Sequence, residues 1–474
     1  MTSGRDGAAE RAPLGTVDAT HPLARRRAGI LCHMTSLPTT AVQPGVDDAQ
    51  RFVDFLASAG MHLWQVLPLN PPDAYGSPYS SDSLHALTPA LTRDLADVAV
   101  VQYARTRASE YETFRHTEQA WLPDYVLYVA ISRDHGADWT RWPQPLRMRE
   151  ARALAAYERL QEPALDALRA RQFVAAQRWH SMKAAANARG IVVLGDAPLY
   201  PALASADVWA ARSLFALDAE GRPAEVAGVP PDYFSATGQL WGNPVYAWAA
   251  HVATGFAWWT ERLRHQLALF DVVRIDHFRG LDAFWSIPAD AETAVAGHWC
   301  AAPGHGLLTR LRSALGALPL VAEDLGVITE SVDRLRDDFA LPGMRVLQFA
   351  FSGDPDNPHL PSNYVENTVA YTGTHDNDTT KGWYEALPET ARSAVDRLFG
   401  ATSDPARRAI EIVFESVART AIVPMQDVLG LGSNARMNVP GERDGNWQWR
   451  CPSDALTGAL ASGLHDAAAA ADRT

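Results

Sequence analysis

Four short acidic segments each stand at the end of an apolar run. Gly195-Asp196 follows Ile191–Leu194, and Arg274-Ile275-Asp276-His277 closes Val272–Ile275. Glu323-Asp324 follows Leu320–Ala322, and His375-Asp376-Asn377-Asp378 follows Val369–Thr374. Carboxylates that end separate strands converge when a sheet closes on itself. Cleavage of a glycosidic bond needs such a pair: one carboxylate to attack or stabilise the anomeric carbon, and one carboxylic acid to protonate the leaving oxygen. Any one of these acids could instead cap a loop or serve an ion pair. Four together at strand ends point to chemistry.

Other chemistries fit less well. Gly430-Leu431-Gly432-Ser433-Asn434-Ala435 matches a dinucleotide-binding pattern, but it lies near the C-terminus with no βαβ unit opening on it. His375 with Asp376 and Asp378 could form a metal corner, yet the chain has neither H-E-x-x-H nor a twelve-residue calcium loop. Cys32, Cys300 and Cys451 are too scattered for a disulfide framework or a C-x-x-C site, so three free thiols in a reducing compartment are expected. The net charge of −13 argues against a nucleic-acid groove, which needs a basic face. No apolar run approaches the ~18 residues of a membrane span, so neither nucleic acid nor membrane is an expected partner and a cytoplasmic enzyme is.

The elements that must position these acids alternate. Short apolar segments recur at Gly29–His33, Leu63–Leu67, Ile191–Gly195, Val272–Ile275, Leu320–Ala322, Met344–Phe351, Val369–Tyr371 and Ala421–Pro424. They suit strands buried on both faces. Helical periodicity lies between them, in Asp47–Ala59 with a stop at Gly60, in Phe256–Phe270, and in Glu330–Phe339 with Thr329 as N-cap. The alternation predicts an α/β fold, a (β/α)8 TIM barrel with inserted subdomains in the βα loops; a doubly wound sheet is the alternative. Residues 1–27 are expected to be a flexible leader, 28–460 the barrel and 461–474 a tail. The gaps after the second and third strands exceed what one helix and two loops need. A mainly helical insertion, broken at Pro163, is expected at about 90–187, and a loop-rich one at about 199–255.

The acidic segments carry a resemblance. VRIDHFRG (Val273–Gly280), AEDLG (Ala322–Gly326) and YTGTHDNDT (Tyr371–Thr379) resemble the three catalytic segments of the amylomaltases, the 4-alpha-glucanotransferases of glycoside hydrolase family seventy-seven. LCHMTSLP (Leu31–Pro38), SPY (Ser77–Tyr79), AGVPPDYFSATGQLWGNP (Ala227–Pro244), PGMRVLQFAF (Pro342–Phe351) and MQDVLGLGSNARMNVPG (Met425–Gly441) extend it over roughly 28–450. Departures from the family's pattern stand at Thr39–Val46, Ser80, Thr88-Pro89 and Ala247.

The resemblance implies roles. Asp276 would be the nucleophile, Glu323 the general acid/base, and Asp376 the group that holds sugar hydroxyls and stabilises the transition state. Arg274 would fix Asp276 and keep it ionised, with the Asp276 pKa low and the Glu323 pKa raised. His277 and His375 would hydrogen-bond the sugar, and Tyr79, Asp196, Gln239, Trp241 and Asn243 would line the donor groove. The implied reaction passes a segment of an α-1,4-glucan to the 4-hydroxyl of an acceptor glucose or maltooligosaccharide. It retains configuration through a covalent β-glucosyl-enzyme, with no metal or organic cofactor. A hydrolase on the same barrel is the competing reading, because water and a sugar hydroxyl would enter the same site.

Overall fold

Eight parallel strands hydrogen-bond side by side into one sheet that curls back on itself. The structure, a computed structural model, describes residues 21–41, 44–231 and 235–474. The strands are β1 (Arg27–Leu31), β2 (Leu63–Gln65), β3 (Val192–Ala197), β4 (Val272–Ile275), β5 (Leu320–Ala322), β6 (Gly343–Val346), β7 (Thr368–Tyr371) and β8 (Thr420–Pro424). Their order is β6-β7-β8-β1-β2-β3-β4-β5. At the seam the Ala322 N–H reaches the Pro342 carbonyl at 2.9 Å, closing β5 onto the entry to β6. Asp324 reinforces that seam, accepting from the Met344 N–H at 2.6 Å and from Arg336 and Arg345. Each of the eight apolar runs coincides with a strand of this (β/α)8 barrel. The Met344–Phe351 run starts one residue earlier and gives way to a 3-10 turn at Leu347–Phe349.

The helices follow the pattern of buried positions. In α1 (Val46–Ser58), Phe52, Val53, Phe55 and Leu56 are buried against the barrel. Gly60 takes φ +66°, letting Met61 N–H bond the Leu56 carbonyl and Gly60 N–H the Ala57 carbonyl, a Schellman stop. Thr329 occupies the N-cap of Glu330–Asp338, but its hydroxyl contacts Ser331 at 2.9 Å instead of capping a backbone N–H.

Between β2 and β3 run the helices Asp97–Thr106, Ala108–Thr117, Leu122–His135, Gln144–Arg147 and Ala151–Asn187. The break anticipated at Pro163 does not occur: Ala151–Asn187 is one helix of 37 residues. Pro163 lies on its solvent face, where water can take the Arg159 carbonyl left without a donor. Leu154 and Tyr157 before it and Leu165 and Leu168 after it are packed on the core, so both halves are held.

A four-stranded antiparallel sheet stands beyond the ends of β3 and β4. It joins Gln239–Pro244, Glu225–Val229, Ala283–Pro288 and His298–Ala301 in that order. The stretch read as loop-rich thus supplies two strands, and the segment after β4 supplies the other two.

Residues just before β1 and the C-terminal helix are tied to the bottom of the barrel. The leader expected at 1–27 lies mostly outside the described residues, but Leu23 is buried among the inward-facing side chains. Arg26 donates to the carbonyls of Phe414 and Ala471 at 3.0 Å each. The stretch read as a tail is a helix, Gly458–Ala470, with Ala461, Leu464 and Ala468 buried. After it, Arg473 is fully buried and donates to the carbonyls of Phe414, Ser416 and Ala418. Cys32, Cys300 and Cys451 form no disulfide. Among the described residues no helix is long and apolar enough to cross a membrane.

Candidate active site

A strand's side chains alternate between two faces, so residues two apart share one. Along β3 the inward face carries Leu194 and then Asp196; along β4 it carries Val272, then Arg274, then Asp276 just past the end. Leu194, Val272 and Val321 belong to the apolar barrel interior, whereas Val193, Val273 and Ala322 pack outward against the helices. The interior therefore climbs from hydrocarbon to charge, and Glu323 follows Val321 on the same face. Tyr371, on β7, closes the layer below, its hydroxyl bonded to Gln65 at 2.9 Å.

Arg274 is the hub. Its Nη1 donates to both oxygens of Asp196, at 2.8 and 2.7 Å, and its Nη2 meets Asp276 Oδ1 at 2.9 Å. Tyr79 donates its hydroxyl to Asp196 Oδ2 at 2.8 Å and stacks on His375 with ring centroids 5.2 Å apart. Glu323 is held by backbone alone: Oε2 accepts from the His277 N–H at 2.6 Å and Oε1 from the Leu325 N–H at 2.9 Å. His277 adopts φ +50°, a left-handed conformation unusual for a side chain other than glycine, and this turn aims its N–H at Glu323.

Burial pushes the Asp276 pKa up to about 6, the charges of Asp196 and Asp376 add to the rise, and Arg274 and His375 oppose it. The resemblance implied a low Asp276 pKa; burial raises it instead, against the opposing charge of Arg274, which also holds Asp196. Burial likewise pushes Glu323 up to about 7; Asp276 adds to this, and Arg274 and the two backbone N–H groups oppose it. Burial pulls His277 down to about 3, so its imidazole is neutral.

Asp376 and His375 sit on the loop after β7. Asn377 ties that loop to itself, its Oδ1 accepting from the Thr374 N–H and hydroxyl at 2.9 Å each. The buried Asp427 pins both ends, accepting from the Thr372 hydroxyl at 2.6 Å and from the Thr380 N–H at 2.7 Å. His375 Nε2 lies 3.4 Å from Asp376 Oδ1. Asn438 Nδ2 donates to the same oxygen at 2.6 Å, and Arg436 holds the Asp376 carbonyl, also at 2.6 Å. Asn438, Arg436 and Asp427 carried no assigned role in the sequence reading. All three lie in MQDVLGLGSNARMNVPG, and nothing in their spacing ties them to residues some sixty positions earlier in the chain. Ser433, within the rejected dinucleotide pattern, bonds Asp378 at 2.6 Å and braces the same loop.

The exposed Trp241 stands edge-on to His277, ring centroids 4.7 Å apart, and its indole N–H meets Gln239 Oε1 at 3.1 Å. The antiparallel sheet thereby brings an aromatic face beside the Asp276–Glu323 pair. Asn243 is placed differently: its amide donates to the Pro201 carbonyl at 2.9 Å, which ties its strand to the chain after β3. Among the residues named from sequence, Tyr79, Asp196, Arg274, Asp276, His277, His375 and Asp376 form one contiguous network with Glu323, with Trp241 and Gln239 at its rim.

Comparison with known proteins places the chain in a family. The profile of the family described as 4-alpha-glucanotransferase matches residues 32–98 and 90–456. The chain is 44% identical to the 4-alpha-glucanotransferase of Thermus thermophilus, over 90% of this chain and 94% of that protein. It is 43% identical to that of Aquifex aeolicus (strain VF5), over 90% and 96%. It superposes on the amylomaltase from Streptococcus agalactiae in complex with acarbose with a TM-score of 0.89 and 32% identity, covering 95% of this chain and 100% of that one.

Proposed function

The chain belongs to the 4-alpha-glucanotransferase family, the amylomaltases, and on that premise we propose that it moves α-1,4-glucan segments by a retaining double displacement on Asp276 and Glu323. The observation that carries the reading is the division of labour between the two carboxyls. Asp276 is fixed through Oδ1 by Arg274, which leaves Oδ2 free to attack. Glu323, gripped by the His277 and Leu325 N–H groups, has its pKa raised by burial, as a proton donor should.

In the first step Asp276 Oδ2 attacks the anomeric carbon as the C1–O4 bond breaks. Glu323 passes its proton to the departing O4, and the reducing-side piece leaves. In the second step Glu323, now ionised, takes the proton of an acceptor 4-hydroxyl. That oxygen attacks C1, and Asp276 departs as a carboxylate. Two inversions retain the α configuration. Asp376, its Oδ1 held by Asn438, keeps Oδ2 for sugar hydroxyls. His277, with its neutral ring, and His375 bond the same sugar, Tyr79 and Asp196 border the donor side, and Gln239 and Trp241 offer a face to the acceptor. An acceptor seated there has an effective concentration far above free solution, which favours transfer over hydrolysis. The donor is an α-1,4-glucan or maltooligosaccharide and the acceptor glucose or a maltooligosaccharide, in a cytoplasmic setting. The helices after β2 and the segment at 199–255 are read as subdomains inserted in this one catalytic barrel.

Maltotriose as sole substrate tests the reaction. Transfer yields glucose plus a ladder of longer chains with little net gain of reducing ends, because each cut bond is replaced. Reducing ends climbing steadily without longer chains would assign the protein to the hydrolases. The covalent step is tested separately: Glu323→Gln treated with an α-maltosyl fluoride should accumulate an adduct on a peptide containing Asp276, read by mass spectrometry.

A further inference from the structure

We propose that a cleft on the flank of the barrel, between the helices after β2 and the helix Ala257–Leu269, is a second, non-catalytic binding site for α-1,4-glucan. The cavity measures about 400 Å³, within the usual range for ligand pockets, and shares no lining residue with the carboxylate network. The inference rests on the reading that α-1,4-glucan is the substrate.

Two partly buried indoles, Trp121 and Trp258, line the cleft. Between them His85 is only 6% exposed, stacked on Trp121 and edge-on to Trp258. His85 Nδ1 meets the buried Asp207 at 2.8 Å, and Asp207 also accepts from the Leu84 N–H. Burial lowers the His85 pKa, so the ring is neutral and its one proton sits on Nδ1, toward Asp207. Nε2 is left as an acceptor that makes no hydrogen bond among the described residues, on a side chain that lines the cavity. His265 contacts Glu118 at 3.1 Å and the His85 carbonyl at 2.8 Å, and Glu118 also accepts from the Trp121 indole at 2.6 Å. These polar groups are therefore held in place before any ligand arrives.

Flat apolar faces interleaved with fixed acceptors suit a sugar ring, which offers an apolar face and a rim of hydroxyl donors. The charges narrow the class. Glu118, Asp124, Asp207 and Glu261 outnumber Arg264 and His265 around the cleft, which disfavours a phosphate or an acidic sugar. A neutral glucan meets these conditions. A long chain anchored here would raise its own concentration at the catalytic cleft, an advantage a trisaccharide cannot share.

The test uses the full chain. Ala268→Arg fills the cleft from an exposed helix position, and Trp258→Ala removes one wall. In native gels containing amylopectin, Asp276→Asn protein should be retarded, and adding either cleft substitution should reduce the retardation several-fold. In the active enzyme, each should raise KM for amylose several-fold while kcat and KM for maltotriose hold. Unchanged retardation and amylose KM in Ala268→Arg would overturn the proposal. So would amylose and maltotriose KM rising together, which marks a general structural effect. If Trp258→Ala fails to fold, Ala268→Arg decides. Failure of the substrate reading is distinguishable, because the wild-type enzyme would then form no ladder from maltotriose.

Discussion

The backbone N–H of His277 donates to Glu323 Oε2 at 2.6 Å, so the residue that follows Asp276 in the chain holds the opposing carboxyl. The spacing between attacking group and acid is thereby set by one peptide unit in a left-handed conformation. Asparagine tolerates that conformation, whereas a β-branched residue does not. His277→Asn should therefore keep much of kcat and His277→Val should lose most of it. Weakening this hydrogen bond, which favours ionised Glu323, should also move the basic limb of the His277→Val pH profile upward. Equal loss in both variants, with no shift of that limb, would assign the effect to the ring alone.

Asp276→Asn and Glu323→Gln should each lower kcat by at least ~10²–10⁴-fold, the usual worth of positioned acid–base help, with unchanged far-ultraviolet circular dichroism. More than a tenth of wild-type turnover in Glu323→Gln would remove Glu323 from the acid role.

The free enzyme is competent with Asp276 ionised and Glu323 protonated. Activity should fall as Asp276 takes a proton below about 6 and as Glu323 loses one above about 7, giving a narrow bell in kcat/KM. The two limbs belong to the interacting pair. The Asp196 charge raises the Asp276 pKa, and Asp196 occupies Nη1 of Arg274. Asp196→Asn should therefore move the acid limb downward even as it lowers kcat. An acid limb that stays put or rises would contradict the shared-guanidinium account.

Stability should carry the same signature. The folded-state Glu323 pKa, about 7, lies above the ordinary 4.5, so the folded protein holds more protons than the unfolded one between those values. That contribution is full below 4.5 and is lost as pH rises through 7. Ionising Glu323 in place costs up to roughly 3 kcal/mol at 1.36 kcal/mol per pKa unit. Glu323→Gln should raise Tm relative to wild type at pH 8 by more than it does at pH 4. A Tm difference independent of pH would show that Glu323 is not strained by burial.

Trp241 is 37% exposed, on the edge strand of the antiparallel sheet, and among the described residues it contacts His277 and Gln239. Trp241→Ala should leave Tm nearly unchanged, raise the acceptor KM, and increase the share of hydrolysis in the product mixture. Loss of stability without a change in the transfer-to-hydrolysis ratio would make Trp241 a packing residue.

The amino-acid sequence by itself determined the barrel and most of the candidate site residues. Strand and helix periods are local properties, and the period of two already places Arg274 with Asp276, and Val321 with Glu323, each pair on one face of its strand. What it could not determine were relations across the chain. The pair of hydrogen bonds from Arg274 to Asp196 exists only when β3 and β4 lie side by side, and the burial that raises the Asp276 pKa exists only in the closed barrel. The grip of Asn438 on Asp376 joins the loops after β7 and β8, and its donor carries no periodic signal. Helix continuity through Pro163 and the burial of Arg473 were likewise decided by packing: the local cost of a missing N–H or of a desolvated guanidinium is met by contacts from remote segments. Local preference is written in neighbouring residues, whereas the energy of a buried polar group depends on what the closed fold brings within hydrogen-bonding reach.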